Sequence, residues 1–355
     1  MEAIRFGIDL AKSVLQVHGV DAAGRVVVRR QFRRGQVVKF FAAQPSALIG
    51  MEACGSAHHW GRELSALGHA VRLMPAAYVK AYVKRNKNDA RDAEAACEAV
   101  SRPTMRFVPI KTVEQQCARA LHRARDLLVR QRTQLANAIR GQLYEMGITS
   151  ARGAGGIAAL LGRIERGDEA RGDEARGDEA IPAALLPCLL ALARQWRALE
   201  AEIDRLDKQI QAEVHQNPTA QRLLQVPGVG PVTAHAVIAA VGEGRQFASA
   251  RDFAAWLGLT RRNHDTGGKP RLTGRISRAG DRSLRRLLVL GASSWLRQVR
   301  KRPQAGSAWI RGLLARRPVK VCAVAQAAKT ARILWALLTS GQHYRPPLPR
   351  HPLPA

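Results

Sequence analysis

Four carboxylates near the start of the chain could hold a divalent metal ion: Asp9, Glu52, Asp89 and Asp92. Acids are scarce in this protein, whose formal net charge is +29. Carboxylate oxygens are ligands for Mg²⁺ and Mn²⁺, and such ions activate phosphodiester chemistry. A single aspartate is most often an ordinary surface acid. Four acids at strand ends and at a helical three-residue spacing are better candidates for a metal site.

The first hundred residues must supply the elements that position these acids. Three short β-branched segments separated by turn residues predict a strand meander, at 4–9, 14–20 and 25–32. A helix, a strand, a helix and a strand are expected next, at 37–43, 47–51, 58–67 and 70–73. This order predicts an α/β domain with a ribonuclease-H-like mixed sheet, whose first strand lies beside the fourth. Asp9 and Glu52, each at the carboxyl end of its strand, would then be neighbours.

The other two acids lie in the segment KNDARDAEAACEAV, which is rich in alanine and predicts a helix from Asp89 onward. Residues three apart share a helix face, so Asp89 and Asp92 can point at the same ligand. Four carboxylates that converge without a cation would repel one another. A pair of Mg²⁺ or Mn²⁺ ions would offset this repulsion and activate an oxygen nucleophile.

Composition limits the classes of protein to which this chain can belong. The 57 lysines and arginines against 28 aspartates and glutamates predict a polyanionic partner. The five cysteines form no CxxC pair, so neither a zinc ribbon nor a disulfide framework is indicated, and a reducing cytoplasm is expected. No apolar run of membrane-spanning length occurs, so we expect neither export nor a membrane partner. We predict domains at 1–105, 106–215 and 216–340, with a disordered proline-rich tail at 341–355.

The middle of the chain predicts two long helices. The first covers 112–147, and the second has apolar residues at alternating steps of four and three. Such a heptad pattern predicts a coiled coil, and its partner is either the first helix or a second subunit. A threefold RGDEA repeat at 166–180 predicts an exposed, low-complexity connection between the helices. The heptad positions are Leu185, Leu189, Leu192, Trp196, Leu199, Ile203, Leu206 and Ile210.

Two features of the C-terminal part predict contacts with nucleic acid. The segment 219–242 resembles a helix-hairpin-helix, in which Gly228 and Gly230 would let backbone N–H groups approach a phosphate. A plain packing turn is the alternative. The second feature is a glycine-punctuated basic segment without aromatic residues, typical of backbone contact, although a solvated charged face is the alternative. Its cations are Arg261, Arg262, Lys269, Arg271, Arg275, Arg278, Arg282, Arg285 and Arg286.

Four motifs together resemble the DEDD transposases of the insertion-sequence-110 family: GIDLAK, MEACGSAHHW, KNDARDAEA and the segment from WLGLTRRN to RISRAGDRSLRR. The resemblance covers nearly the whole chain. It implies a RuvC-like first domain whose metal-binding acids match Asp9, Glu52, Asp89 and Asp92. It also implies a homo-oligomer, a dimer or a tetramer, and a C-terminal loop serine that attacks DNA while a partner subunit's carboxylate site supplies the metal.

Thr266, in the sequence HDTGGK, occupies the position of that family serine. Three alternatives follow from this departure: Thr266 is a working nucleophile, the enzyme is disabled, or Ser277 is the nucleophile. Threonine has the required hydroxyl, but its β-methyl group crowds attack on phosphorus. His264 and Asp265 flank it, yet consecutive residues seldom face one another as a triad.

The sequence therefore predicts a DNA transposase or recombinase of a bacterial mobile element, located in the cytoplasm with the nucleoid. Its partners would be the element ends and the target DNA. The family resemblance further implies a bridge RNA that selects both by base pairing, as a guide RNA does. Two alternatives remain: a metal-dependent junction-resolving nuclease, and an inactive nucleic-acid-binding descendant.

Overall fold

Residues 2–84, 88–166, 181–263, 267 and 272–346 are described by a computed structural model. The chain divides into two units, Met1–Gln116 and Cys117–Ala355. The finer predicted division, with a helical region at 106–215 and a C-terminal domain at 216–340, stays a prediction. Most of the RGDEA repeat, the end of the predicted tail and Thr266 lie outside the described residues.

The first unit is built on a five-stranded mixed sheet of order β3-β2-β1-β4-β5. β1 is antiparallel to β2 and parallel to β4, so the predicted meander and the predicted pairing of the first and fourth strands are both confirmed. The strands are β1 (Arg5–Leu10), β2 (Val14–Val20), β3 (Val26–Arg33), β4 (Leu48–Glu52) and β5 (Ala70–Met74). The helices are α1 (Arg34–Ala42), α2 (Ala57–Ala66), α3 (Ala76–Val79) and α4 (Asp89–Ala99).

Alternation along β1 assigns its two faces to different layers. Phe6 and Ile8 are fully buried in an apolar cluster that also contains Phe41 of α1 and Trp60 of α2. Gly7, the one residue between them, lies on the opposite face, because successive positions of a strand alternate between the two faces. That face is covered by α4. The sheet therefore separates an apolar layer from the layer in which the candidate metal site lies.

The second unit is mainly helical, as the sequence predicts. Its first helix, α5, begins at the end of the first unit. The elements are α5 (Val113–Tyr144), α6 (Ala154–Arg166), α7 (Leu186–Gln216), α8 (Pro218–Leu224), α9 (Pro231–Val241), α10 (Ala250–Trp256), β6 (Arg261–Asn263), β7 (Leu272–Ile276), α11 (Arg282–Lys301), α12 (Ala308–Leu314) and α13 (Val319–Ser340).

α5 and α7 pair within the chain. Arg125 forms an ion pair with Asp207, and Arg132 Nη1 lies 2.6 Å from Glu200 Oε2. The residue numbers rise along one helix as they fall along the other, so the two helices are antiparallel. Their apolar cluster includes Trp196 of the predicted heptad pattern. These contacts favour the within-chain partner for the heptad face, while a coiled coil stays a prediction.

The remaining helices enclose the largest apolar cluster, which contains Phe253 of α10, Leu288 of α11 and Leu334 of α13. α13 is long and apolar enough to cross a membrane by length and composition alone. Its residues Ala327 and Leu334 are completely buried in this cluster. A core helix passes the same test of length and composition, and α13 packs as one.

Candidate functional site

Two glycines on neighbouring strands bring α4 directly onto the sheet. Gly7 of β1 and Gly50 of β4 are register partners. A Cβ atom on Gly7 would lie 2.0 Å from the backbone oxygen of Ala93, and one on Gly50 would lie 2.7 Å from that of Ala96. No side chain fits in that space. The backbone of α4 therefore lies against the two strands whose ends carry the first two predicted acids.

The same face of β1 carries Asp9 two residues after Gly7, and the first turn of α4 carries Asp89 and Asp92. Asn88 caps this helix by accepting a hydrogen bond from the backbone N–H of Arg91 at 2.9 Å. Acidic groups in the first helical turn are stabilised by the helix dipole. The close packing of α4 thus places two acids over the carboxyl end of β1.

Three of the four predicted acids converge. The carboxylates of Asp9, Asp89 and Asp92 each offer an oxygen within 4.8 Å of the others, with Asp89 exposed and the other two half-buried. Glu52 is the last residue of β4 and is half-buried. It lies outside the set of three, but it is near enough to contribute to the electrostatic shift of Asp9.

Burial first, and then the charges of Asp89, Asp92 and Glu52, together raise the pKa of Asp9 to about 6. The raised pKa of Asp9 reflects the negative potential of the carboxylates beside it. A bound cation would neutralise that potential. Oxygen atoms that share one octahedral Mg²⁺ lie about 3 to 4 Å apart, because each is about 2.1 Å from the ion. The spacing and the all-oxygen donor set fit Mg²⁺ or Mn²⁺.

The candidate phosphate-binding turn lies between α8 and α9. Gly228 has a φ of 84°, and its backbone contacts α11 so closely that a Cβ atom on Gly291 would lie 2.0 Å from the Gly228 oxygen. Close packing against α11 therefore explains why a glycine occupies position 228. Gly230 precedes α9 and has open space where a side chain would be. Phosphate binding by Gly228 and Gly230 stays a prediction.

The predicted nucleophile lies in the connection between β6 and β7, where only Gly267 is described. Thr266, Lys269 and Arg271 lie outside the described residues. Ser277, the alternative nucleophile, is half-buried in the turn after β7. Its backbone N–H donates to the Thr260 oxygen at 2.8 Å, and its Oγ accepts a hydrogen bond from the Ala279 N–H at 3.4 Å.

The predicted basic segment contains two kinds of arginine. Arg285 Nη1 donates to the backbone oxygens of Leu257, at 2.9 Å, and Ala279, at 2.6 Å, while Arg286 forms an ion pair with Asp126. These contacts give both side chains a structural role, so their predicted binding to phosphate is the weaker interpretation. The remaining described arginines of the segment are exposed: Arg261, Arg262, Arg275, Arg278 and Arg282.

Sequence reasoning missed a polar cluster that fixes α5 to the start of α11. Asp126 of α5 is buried, accepts a hydrogen bond from Ser283 Oγ at 2.9 Å and pairs with Arg286. Arg119, two turns earlier, pairs with Asp281 at 3.3 Å, and Asp281 caps α11. Partners so far apart in sequence give no local signal. The N-cap aspartate was the one feature that a sequence pattern could have found.

A second missed group joins three helices. His122 Nε2 of α5 lies 2.8 Å from His235 Nδ1 of α9, and His235 Nε2 lies 2.8 Å from Glu213 Oε2 of α7. Burial, and then the neighbouring His235, lowers the pKa of His122 to about 4. Burial therefore keeps His122 a neutral imidazole near pH 7.

The mixed sheet flanked by helices is compatible with a RuvC-like DEDD domain, and the second unit is mostly helical. Two family models match the chain. One, described as "Transposase" and built on the DEDD transposases of the IS110 type, matches residues 6–148. The other, described as "Transposase IS116/IS110/IS902 family", matches residues 220–309.

Curated relatives match over nearly the full length. The "Probable family 20 transposase" of Pseudomonas aeruginosa is 51% identical, covering 98% of this chain and 100% of its own. The "Transposase for insertion sequence element IS1328" of Yersinia enterocolitica is 38% identical, covering 94% and 96%. The "Transposase for insertion sequence element IS1111A" of Coxiella burnetii is 41% identical, covering 96% and 90%. The chain belongs to the IS116/IS110/IS902 family of transposases and is a DNA transposase.

Proposed function

We propose that this transposase cuts and rejoins DNA with a divalent metal held by Asp9, Asp89, Asp92 and Glu52. The observation that carries the proposal is the convergence of three carboxylates within 4.8 Å at the contact of β1 and α4. Mg²⁺ or Mn²⁺, when bound, would polarise the scissile phosphate and stabilise the leaving oxygen.

The residues around the cluster have distinct tasks in this proposal. Asp9, on the sheet, is the rigid ligand, because its strand is paired on both sides. Asp89 and Asp92 come from the first turn of α4, where Asn88 fixes the start of the helix. Asp9 holds a proton up to about pH 6 when no cation is bound, so metal binding would displace that proton.

The hydroxyl that attacks DNA is Thr266 in this proposal, and the covalent product would be a phosphothreonine link. Support comes from its position in the motif that resembles the family's serine-containing loop, within a chain that belongs to the family. Ser277 is the second candidate. Its backbone and side chain are already engaged in a turn, which favours Thr266 as the group that approaches DNA.

The DNA partners in this proposal are the element ends and the target. The exposed arginines of β6, β7 and the turn after β7 would contact phosphates. An element-encoded bridge RNA would select the sequences, so that the protein contributes contacts with the backbone and with shape. Support for the RNA comes from family membership, and the net charge of +29 suits a polyanionic partner.

We propose that a second copy of the chain packs on α5. The helix carries an exposed stripe of uncharged residues at alternating steps of four and three, while its arginines lie off the stripe. That spacing is a heptad repeat sustained over about four repeats, long enough for a coiled-coil interface. The stripe residues are Val113, Cys117, Ala120, Ala124, Leu127, Gln131, Gln134, Ala138 and Gly141.

A denaturing gel tests the proposed chemistry. Labelled element-junction DNA, RNA transcribed from the flanking region and Mg²⁺ are incubated with wild type, Thr266→Ala, Thr266→Ser and Asp9→Ala. We expect a protein–DNA adduct in wild type and Thr266→Ser that is absent from the other two. Metal-dependent cleavage without an adduct in any variant would instead show a junction-resolving nuclease. An adduct with Thr266→Ser alone would show a disabled transposase.

A further inference from the structure

The C-terminal end of the chain carries a second cationic region, beyond the basic segment discussed above. No aspartate or glutamate occurs after Asp281. All lysines and arginines from 297 to 320 are exposed. We call this set the C-terminal cationic surface: Arg297, Arg300, Lys301, Arg302, Arg311, Arg316, Arg317 and Lys320.

These cations differ from the arginines of the long helices. Arg132 pairs with Glu200 at 2.6 Å and Arg197 pairs with Glu165 at 2.9 Å, so much of the charge on α5 and α7 is compensated within the chain. Within the described ranges, no ion pair joins the C-terminal cationic surface to a carboxylate. As far as the described ranges show, solvent ions compensate its charge, and counterions of this kind are released when cations bind a polyanion.

The backbone that carries these cations is well supported. Leu296 and Val299 of α11, Ile310 of α12 and Cys322 of α13 are buried together beneath it. Arg311 Nη1 also donates to the Gly306 oxygen at 2.7 Å, which fixes the turn between α11 and α12. The backbone that carries these cations therefore needs little rearrangement on binding.

An exposed aromatic residue lies on the same helix as Arg311. Trp309 is 40% exposed, and the Lys329 amine lies 4.5 Å from the centre of its ring. The cation–π contact holds α12 against α13 and keeps the indole in one orientation. Indole rings among cations are typical of surfaces that stack on nucleic-acid bases.

The length of α11 separates this surface from the other basic segment. Arg282 begins the helix and Lys301 ends it, 20 residues in all, and at 1.5 Å per residue the two ends are about 30 Å apart. That distance corresponds to roughly nine base pairs of duplex at 3.4 Å each. One phosphate-binding patch therefore cannot account for both regions.

We propose that the C-terminal cationic surface is a second nucleic-acid site, which binds the phosphodiester backbone at the end of α11 where Lys301 lies, about 30 Å along the helix from Arg282. The inference rests on the proposed function only in naming nucleic acid as the partner, since no metal and no nucleophile takes part. DNA flanking the reacting site and a structured RNA offer the same phosphate chemistry, and the two are distinguished below.

Binding is measured without divalent metal, so that no strand chemistry contributes. The test variant carries Arg300→Ala, Lys301→Ala and Arg316→Ala. The control removes three exposed cations from elsewhere, by Arg194→Ala, Lys208→Ala and Arg251→Ala. The probes are a 30-base-pair DNA duplex and an RNA hairpin of equal charge, titrated at several salt concentrations.

We expect the test variant to lose at least about 10-fold in affinity near physiological salt, and its log Kd against log salt slope to fall by about 2 to 3. The control should stay close to wild type. A loss confined to one probe identifies the source of the phosphates, and either source supports the proposal. A variant with Arg300→Lys and Arg316→Lys should bind like wild type, which separates charge from folding.

Equal Kd values and equal salt slopes for the test variant and the control, on both probes, would overturn the proposal. That result would leave the carboxylate chemistry untouched, because Asp9→Ala affects cleavage but not this binding measurement. Conversely, a failure of cleavage in wild type would leave the salt-slope result intact.

Discussion

Asp9 shows how burial and neighbouring charge together define a candidate ligand. It is half-buried, it lies in β1, which pairs on its two sides with β2 and β4, and its pKa is raised to about 6. Burying a carboxylate that has no partner destabilises the folded state relative to leaving it in solvent. The cost of holding it against Asp89 and Asp92 is explained if a cation normally lies among them.

Gly7 is as important to this site as the acids, because it sets the distance between β1 and α4. We predict that Gly7→Ala destabilises the first unit by about 1 to 3 kcal/mol, as overpacking does, and weakens Mn²⁺ binding at least about 10-fold. The matched control is Gly35→Ala on α1, where an added methyl group meets nothing within 4 Å. Urea unfolding and Mn²⁺ titration measure both quantities. A Gly7→Ala protein as stable as Gly35→Ala, with unchanged Mn²⁺ affinity, would contradict this account.

His122 gives a second prediction at the residue scale. Its folded pKa of about 4 lies below the unfolded value of 6.5, so the unfolded chain binds more protons between these values. The free energy of unfolding should therefore fall as pH drops from 7 to 5, by on the order of 2 kcal/mol from this group. We expect His122→Gln to remove that part of the pH dependence, measured by urea unfolding at both pH values.

His215 supplies the control for this measurement, because it is exposed near the end of α7. His215→Gln should leave the dependence on pH unchanged. If His122→Gln kept the full wild-type loss of stability between pH 7 and pH 5, burial of a neutral imidazole would not be its cause.

At the scale of elements, α5 has three different faces. One pairs with α7 through Arg125 and Arg132. Another fixes the start of α11 through Arg119 and Asp126. The third is the exposed uncharged stripe. A partner subunit packed on the stripe would contact α5, the same helix that fixes the start of α11. The start of α11 follows the proposed nucleophile loop in the sequence.

The stripe gives a prediction about assembly. Leu127 is 47% exposed at its centre, and we expect Leu127→Arg to convert an oligomer to a smaller species by placing like charges in a coiled-coil interface. Leu290→Arg is the matched control, since Leu290 is 59% exposed on α11, off the stripe. Light scattering after gel filtration measures the mass. The same mass for Leu127→Arg, Leu290→Arg and wild type would exclude this face as the interface.

Local patterns predicted the strands of the first unit and the helix from Asp89, because alternation, turn residues and alanine content are properties of short segments. Strand order also predicted that β1 and β4, the strands that carry Asp9 and Glu52, are neighbours. Local patterns did not predict that α4 can lie against the sheet only because Gly7 and Gly50 have no side chains. They also assigned Arg285 and Arg286 to phosphate, although Leu257, Ala279 and Asp126 engage them. These contacts depend on tertiary packing between distant segments, which no local pattern records.

At the scale of the whole molecule, charge is divided by task. The candidate metal ligands lie in the first unit, whereas the basic segment and the acid-free C-terminal end lie in the second. The net charge of +29 attracts a polyanion to the protein, and this attraction weakens as the salt concentration rises. In the proposed function, the acids of the first unit would act locally, by holding a cation where phosphate chemistry occurs.

The central claim is that the carboxylate cluster drives strand cleavage, and Asp9→Asn tests it most directly because it removes the charge and keeps the size. Mg²⁺-dependent cleavage of element-junction DNA is measured together with DNA binding, and the control is Glu63→Gln, which changes an exposed residue of α2. We predict that Asp9→Asn loses cleavage by at least about 100-fold while binding DNA within about twofold of wild type. Cleavage by Asp9→Asn at the rate of wild type and Glu63→Gln would contradict the account.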